Sequence, residues 1–114
     1  MISNIKDKFY LIKNEGSTKK KQELLKDMIQ DREFARVLYF SFNDYIVTGL
    51  SSKKVKKKLN FEVKNQYGND LTSLMGYLLE NNTGTDVDIA VVQAFINDNS
   101  EHEEFLVDLV TKNI

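Results

Sequence analysis

The chain has 114 residues and a mass of 13.2 kDa, which is the usual size of one domain with a single hydrophobic core. Its 41% hydrophobic and 29% charged residues are typical of a folded protein. The absence of cysteine excludes disulfides, thiolate metal sites and cysteine catalysis, and the single histidine excludes a site with several histidine ligands. No long apolar run and no signal-peptide core occurs, so we expect a cytoplasmic protein that does not contact the membrane.

The net charge of −1 conceals an uneven distribution of charge along the chain. The segment 1–64 carries 15 of the 16 basic residues but 8 of the 17 acidic ones, which gives it a formal charge of +7. The segment 65–114 carries one basic residue and 9 acidic ones, which gives it a charge of −8. A basic half of this kind is typical of a protein that contacts a polyanion.

Helices are predicted through most of the first half, and the absence of proline favours long ones. Apolar residues recur at helical spacing over 2–12, 24–29 and 34–46. Ser17 or Thr18 is a favourable N-cap for the second helix, whose leucines, Met28 and Ile29 are predicted to be buried. The third helix is strongly apolar, and Gly49 is predicted to end it.

The segment 50–69 is predicted to be irregular and strongly basic. A short helix held by Val55 and Leu59 is expected there, and the alternation of Phe61 and Val63 with polar residues indicates a small strand-like piece.

Three more helices are predicted in the acidic half. Their expected caps, in chain order, are Asp70, then Thr85 or Asp86, and then a capping box of Ser100 with Glu103. Similar helix starts at an offset of about 68 residues are consistent with two related helical hairpins. The sequence therefore predicts one all-α domain over 1–114, a compact bundle of about six helices.

Two lysine-rich groups of residues are the candidate DNA-binding site, because the ammonium groups of lysines and the N–H groups at a helix start both bind phosphates. The first group lies at the predicted start of the second helix and comprises Ser17, Thr18, Lys19, Lys20 and Lys21. The second group lies in the irregular segment and comprises Lys53, Lys54, Lys56, Lys57 and Lys58. A solvated face of a lysine-rich chain is the alternative interpretation.

Other candidate chemistry is weak in this sequence. The acidic residues around His102 are explained by the first turn of a helix, and His102 is expected at the surface. No phosphate-binding loop, dinucleotide fingerprint, nucleophile elbow or metal-ligand spacing occurs. The sequence therefore predicts neither a catalytic site nor a cofactor.

The stretch Gly-Ser-Thr-Lys-Lys-Lys-Gln-Glu-Leu-Leu at 16–25, followed by Arg-Val-Leu-Tyr-Phe-Ser-Phe at 36–42, resembles a known family. It is similar to the N-terminal DNA-binding domain of phage-type ATP-dependent DNA ligases, the T-even kind. The resemblance covers most of the chain and is strongest over 15–46. It implies an all-helical domain that grips duplex DNA across the minor groove near a nick, largely without reading sequence.

In that family Ser17, Thr18, Lys19 and Lys20 would lie at a helix start that faces DNA. The reactive lysine of such ligases lies in a Lys-x-Asp-Gly motif of a separate domain, and this motif is absent from the chain. The resemblance therefore implies a monomeric, non-catalytic N-terminal piece of a longer ligase, whose absent catalytic domain would use ATP and Mg²⁺. Its expected partner would be nicked duplex DNA.

Two alternatives remain open on the sequence alone. One is a small helical protein-interaction module that docks a partner through Tyr39 and Phe40 or through the acidic half. The other is a small phage protein whose acidic half mimics DNA.

Overall fold

In a computed structural model, which describes residues 2–114, the chain is a compact all-helical bundle without strands in that range. The seven α-helices are α1 (Ile2–Asn14), α2 (Thr18–Met28), α3 (Arg32–Phe42), α4 (Ser52–Val55), α5 (Leu71–Glu80), α6 (Asp86–Asp98) and α7 (Glu103–Val110). A 3-10 turn, Ser100–His102, precedes α7. The all-α prediction is confirmed, whereas the strand-like piece at Phe61 and Val63 is wrong.

Phenylalanines at the centre of the bundle join its first and last helices. The ring of Phe9 on α1 lies 5.3 Å from that of Phe34 on α3 and 5.7 Å from that of Phe105 on α7, measured between centroids. All three rings are buried, and each contributes about 1.5–3 kcal/mol by leaving water. The basic and acidic halves of the chain therefore share one core.

The second helix lies at the edge of the bundle and not in its core. It packs mainly on α1, and none of its residues is fully buried. Ile29, just after it, is 49% exposed, so the predicted buried stripe is wrong. Lys8 Nζ of α1 lies 2.7 Å from the carboxylate of Asp31, which follows α2 and caps α3. This edge position leaves most of the first turn of α2 in water.

The third helix ends at Phe42, well before the predicted stop at Gly49. Asn43 causes the early end, because its side-chain oxygen accepts the N–H of Tyr45 at 2.9 Å and closes a turn. Tyr45 consequently lies outside the core and is 97% exposed, although helical spacing predicted that it continues the buried face.

Local capping was predicted well at α2, α5 and α6 and poorly at α7. Ser17, Asp70 and Thr85 all cap as expected, and Thr85 forms a complete capping box with Asp88. The predicted box of Ser100 with Glu103 is wrong, because the 3-10 turn places Ser100 inside the turn, and no side chain caps α7.

The 68-residue offset recurs in the helix boundaries but not in their packing. Thr18 and Asp86 begin α2 and α6, and Arg32 and Ser100 begin the elements that follow. Six residues of α6 are buried, however, whereas no residue of α2 is.

Candidate nucleic-acid interface

The start of α2 presents backbone N–H groups and three lysines. Ser17 has extended backbone dihedral angles and its hydroxyl accepts the N–H of Lys20 at 3.4 Å. Thr18, Lys19 and Lys20 are exposed and Lys21 is half-buried. The first turn contains no acidic residue. The positive charges of its lysines therefore lie at the positive end of the helix dipole, and no negative charge in the same turn offsets the repulsion.

One acidic group lies next to this helix start. The carboxylate of Glu15 accepts the backbone N–H of Ser17 at 3.0 Å. It is bound to the backbone, and no ion pair forms between it and the lysines that follow. The ammonium groups of Lys19, Lys20 and Lys21 make no hydrogen bond or ion pair with any residue of the range 2–114.

The second lysine group surrounds α4, a short helix fixed at both ends. Ser51 caps its start by accepting the N–H of Lys54 at 3.2 Å. The side-chain amide of Gln93 on α6 donates to the carbonyl oxygens of Val55 and Lys57 at 2.9 and 2.7 Å. Buried Val55 anchors the turn, so the surrounding lysines are displayed on a fixed backbone.

A contact between two glycines holds the loop that leads into α4. Gly49 and Gly84 both have positive φ angles, +70° and +65°. A Cβ atom added to Gly84 would lie 2.1 Å from the carbonyl oxygen of Gly49, so only glycine fits there. The ammonium group of Lys54 also donates to that oxygen, at 3.1 Å.

The structure thus divides the eight predicted lysines into two sets. Lys54 donates to the Gly49 carbonyl, and Lys57 forms a 2.9 Å ion pair with Asp86 at the start of α6. The ammonium groups of these two lysines are therefore engaged in contacts within the protein. The other six have no side-chain partner within residues 2–114 and are available to bind an anion: Lys19, Lys20, Lys21, Lys53, Lys56 and Lys58.

His102 is more enclosed than its expected surface position. Its side chain is only 15% exposed, and its Nε2 lies 3.7 Å from a carboxylate oxygen of Glu101. Its Nδ1 is buried without a hydrogen-bond partner. Over residues 2–114, no three acidic or histidine side chains come together as a candidate metal site.

The sequence did not predict a groove between α3 and α5. Its volume is about 600 Å³, and Arg36, Tyr39, Ile46, Gly76 and Leu79 are among the residues that line it. Glycine in the middle of an apolar helix was the available signal, because it costs about 1 kcal/mol relative to alanine and commonly marks a close approach.

No family model, curated protein or solved structure matches this chain. Within residues 2–114, no helix combines the length and the hydrophobicity that crossing a bilayer requires. The chemistry available is that of the residues themselves, namely unpaired ammonium groups at two fixed positions and a separate apolar groove.

Proposed function

We propose that this chain is a non-catalytic domain that binds duplex DNA without reading its sequence. We further propose that it is the N-terminal DNA-binding domain of a phage-type ATP-dependent DNA ligase, acting in the cytoplasm. The observation that carries the DNA-binding function is the set of six unpaired lysines at the start of α2 and around α4, five of them exposed and Lys21 half-buried. The likeness at 16–25 and 36–42 supports the particular family.

Binding would work through phosphates. Each lysine that replaces a condensed counterion releases it to the solvent, and this release drives association at low salt. At the start of α2, a phosphate would also accept from free backbone N–H groups and would offset the repulsion between Lys19, Lys20 and the helix dipole. No base edge is needed, so the binding tolerates any sequence.

In a ligase, such a domain would hold nicked DNA while the absent nucleotidyltransferase domain closes around the nick. ATP and Mg²⁺ belong to that domain, and the chain has no Lys-x-Asp-Gly motif to accept AMP. The role of this chain is therefore positioning, which lowers the entropic cost of bringing the nick to the catalytic groups.

The test is a fluorescence-anisotropy titration of a labelled nicked duplex, with an intact duplex of the same sequence as a comparison. If six lysines engage phosphates, log affinity against log salt has a slope of about −5. Titrations between about 50 and 200 mM salt measure that slope. A slope near zero, or no binding at the lowest salt, would refute the function.

A protein-interaction module is the second candidate, and the groove between α3 and α5 favours it. Tyr39 is 65% exposed and Leu79 is 50% exposed on its two walls, an arrangement typical of a docking surface. Binding to a protein that is insensitive to salt, together with no binding to nicked duplex, would favour this candidate over the first.

A further inference from the structure

The groove between α3 and α5 is lined by apolar side chains and by one glycine, Gly76. Tyr39 and Ile46 line one wall, and Met75 and Leu79 line the other. Gly76 lies between the two α5 residues, and a Cβ atom added to it would meet nothing within 4 Å. A glycine here costs about 1 kcal/mol of helix stability compared with alanine. The groove is therefore an apolar space that residues 2–114 leave unfilled.

The aromatic side chain of Tyr45 projects into solvent beside this groove. Tyr45 is 97% exposed and directly precedes Ile46 of the groove wall. The turn that carries it is held by Asn43, whose side-chain oxygen accepts from Tyr45 and whose carbonyl accepts from Ile46 at 3.0 Å. The ammonium group of Lys112 donates to the same Asn43 carbonyl at 2.9 Å. The backbone of the turn that carries the ring is therefore ordered. Binding of the ring consequently costs little backbone conformational entropy.

Charges of both signs lie beside the groove, and one of them, Asp44, also interacts electrostatically with the ammonium group of Lys112. Arg36 lines the groove, is exposed and makes no ion pair with the residues described. Asp44, adjacent to Tyr45, is also exposed and makes no hydrogen bond or close ion pair in that range. Asp70 at the groove edge is already occupied, because it caps α5 and accepts from Thr72 and Ser73. A face with balanced charge does not suit a polyanion such as DNA, but it does suit a protein.

The face is complementary to itself. It carries an aromatic projection with an acid beside it, and next to that an apolar groove with a free arginine. In a two-fold interface, each residue meets a different residue of the same face on the partner. A second copy can therefore place Tyr45 in the groove and Asp44 beside Arg36, while its own groove receives the same two groups.

We infer that this face binds a second copy of the chain in a two-fold dimer, with Tyr45 of each copy entering the α3–α5 groove of the other. The exposed parts of Tyr39 and Tyr45 amount to about 300 Å² of surface, and Leu79 and Val47 raise this to about 500 Å² per copy. A standard interface buries about 800 Å² per partner, so we expect a weak dimer that forms only at high protein concentration. A dimer replaces the monomer expected from the sequence and does not depend on DNA binding.

Sedimentation equilibrium between about 5 and 500 µM protein tests the dimer. The wild-type chain is expected to shift from monomer to dimer across this range. Arg36→Glu and Asp44→Arg each place like charges together twice per interface, so each is expected to weaken the dimer at least about tenfold. An equimolar mixture of these two variants restores both ion pairs, and a heterodimer of near wild-type affinity is expected.

A third variant and a control separate loss of binding from loss of folding. Tyr45→Ser removes a ring that is almost fully in water, so it is expected to abolish dimerisation while the circular dichroism spectrum and melting temperature stay unchanged. Lys53→Glu changes the charge by the same amount as Arg36→Glu at the start of α4, and it is expected to leave the dimer intact. A wild-type chain that stays monomeric throughout, or a dimer that survives both Arg36→Glu and Tyr45→Ser, overturns the inference.

Discussion

Reversing the charge at the start of α2 is expected to weaken DNA binding while making the protein more stable. Lys19 and Lys20 are exposed, unpaired and in the first turn, where a positive charge opposes the helix dipole. Lys19→Glu with Lys20→Glu therefore replaces two unfavourable charges with two favourable ones. The same change removes two of the six proposed phosphate contacts.

The size of each effect follows from the structure. Acidic residues near a helix start stabilise it by about 0.3–1 kcal/mol each, so the two glutamates are expected to raise the free energy of unfolding by about 0.6–2 kcal/mol. One phosphate contact contributes close to tenfold in affinity at about 0.1 M salt, so losing two costs about 60- to 100-fold. The salt slope is expected to fall from about −5 to about −3.5.

Two measurements on the same preparations check this prediction. Urea denaturation gives the free energy of unfolding, and anisotropy titrations of the nicked duplex at several salt concentrations give the affinity and the slope. The matched control is Lys6→Glu with Lys26→Glu, which changes the net charge equally on α1 and in the last turn of α2. That control is expected to bind DNA within about fivefold of wild type, since distant exposed charges are screened.

The reasoning is refuted if the Lys19 and Lys20 variant binds with unchanged affinity and slope, because α2 would then not contact phosphates. It is also refuted if the control loses as much affinity as the variant. In that case net charge, and not the helix start, would govern binding.

Three further predictions concern the contacts that hold the candidate surfaces in place. Gly84→Ala forces a Cβ atom against the Gly49 carbonyl oxygen and is expected to lower the free energy of unfolding by about 2–4 kcal/mol. Urea denaturation measures this loss, and an unchanged denaturation midpoint would contradict the contact. Tyr77→Phe removes the 2.7 Å hydrogen bond to buried Asp88 and is expected to cost about 1–3 kcal/mol at neutral pH. Burial and the Asp88 carboxylate raise the pKa of Tyr77 to about 12 from 10.0, so wild type loses stability as the pH rises through that interval. The phenylalanine variant should lack this loss, and equal losses in both proteins would exclude Tyr77 as its origin. Lys112→Met removes the donor to the Phe40 carbonyl and one of the two donors to the Asn43 carbonyl, which keeps the N–H of Ile46. Faster amide hydrogen exchange at this turn is expected, together with a loss of about 1–3 kcal/mol, and unaltered exchange would be incompatible with a role of Lys112 there.

Burial lowers the pKa of Lys112 itself, with Asp44 opposing that shift. The unfolded chain therefore holds this proton to higher pH than the folded chain does. Lys112 accordingly adds a rise in stability with increasing pH just below 10.5, opposite in sign to the contribution of Tyr77.

Three helix starts, those of α2, α5 and α6, were predicted accurately because their caps depend on neighbours in the chain. Ser17, Asp70 and Thr85 each accept an N–H group from within the first turn of their own helix, so the residue types alone define the cap. The end of α3 combines a local turn, closed by the Asn43 side chain, with a contact from a distant part of the chain. Lys112 binds the carbonyl oxygens of Phe40 and Asn43 from about 70 residues further along the chain, and no local pattern indicates that contact.

The candidate sites show the same difference between features set by local sequence and features set by tertiary packing. The sequence by itself determined the all-α class, the separation of charge and the two lysine groups, because spacing and composition within a few turns are sufficient for these. Only the tertiary structure decided that Lys54 and Lys57 are engaged internally, since their partners Gly49 and Asp86 are brought to them by the packing of loops and helices. It likewise decided that α2 stays at the edge and that a groove opens beside Gly76, because burial depends on which helices become neighbours.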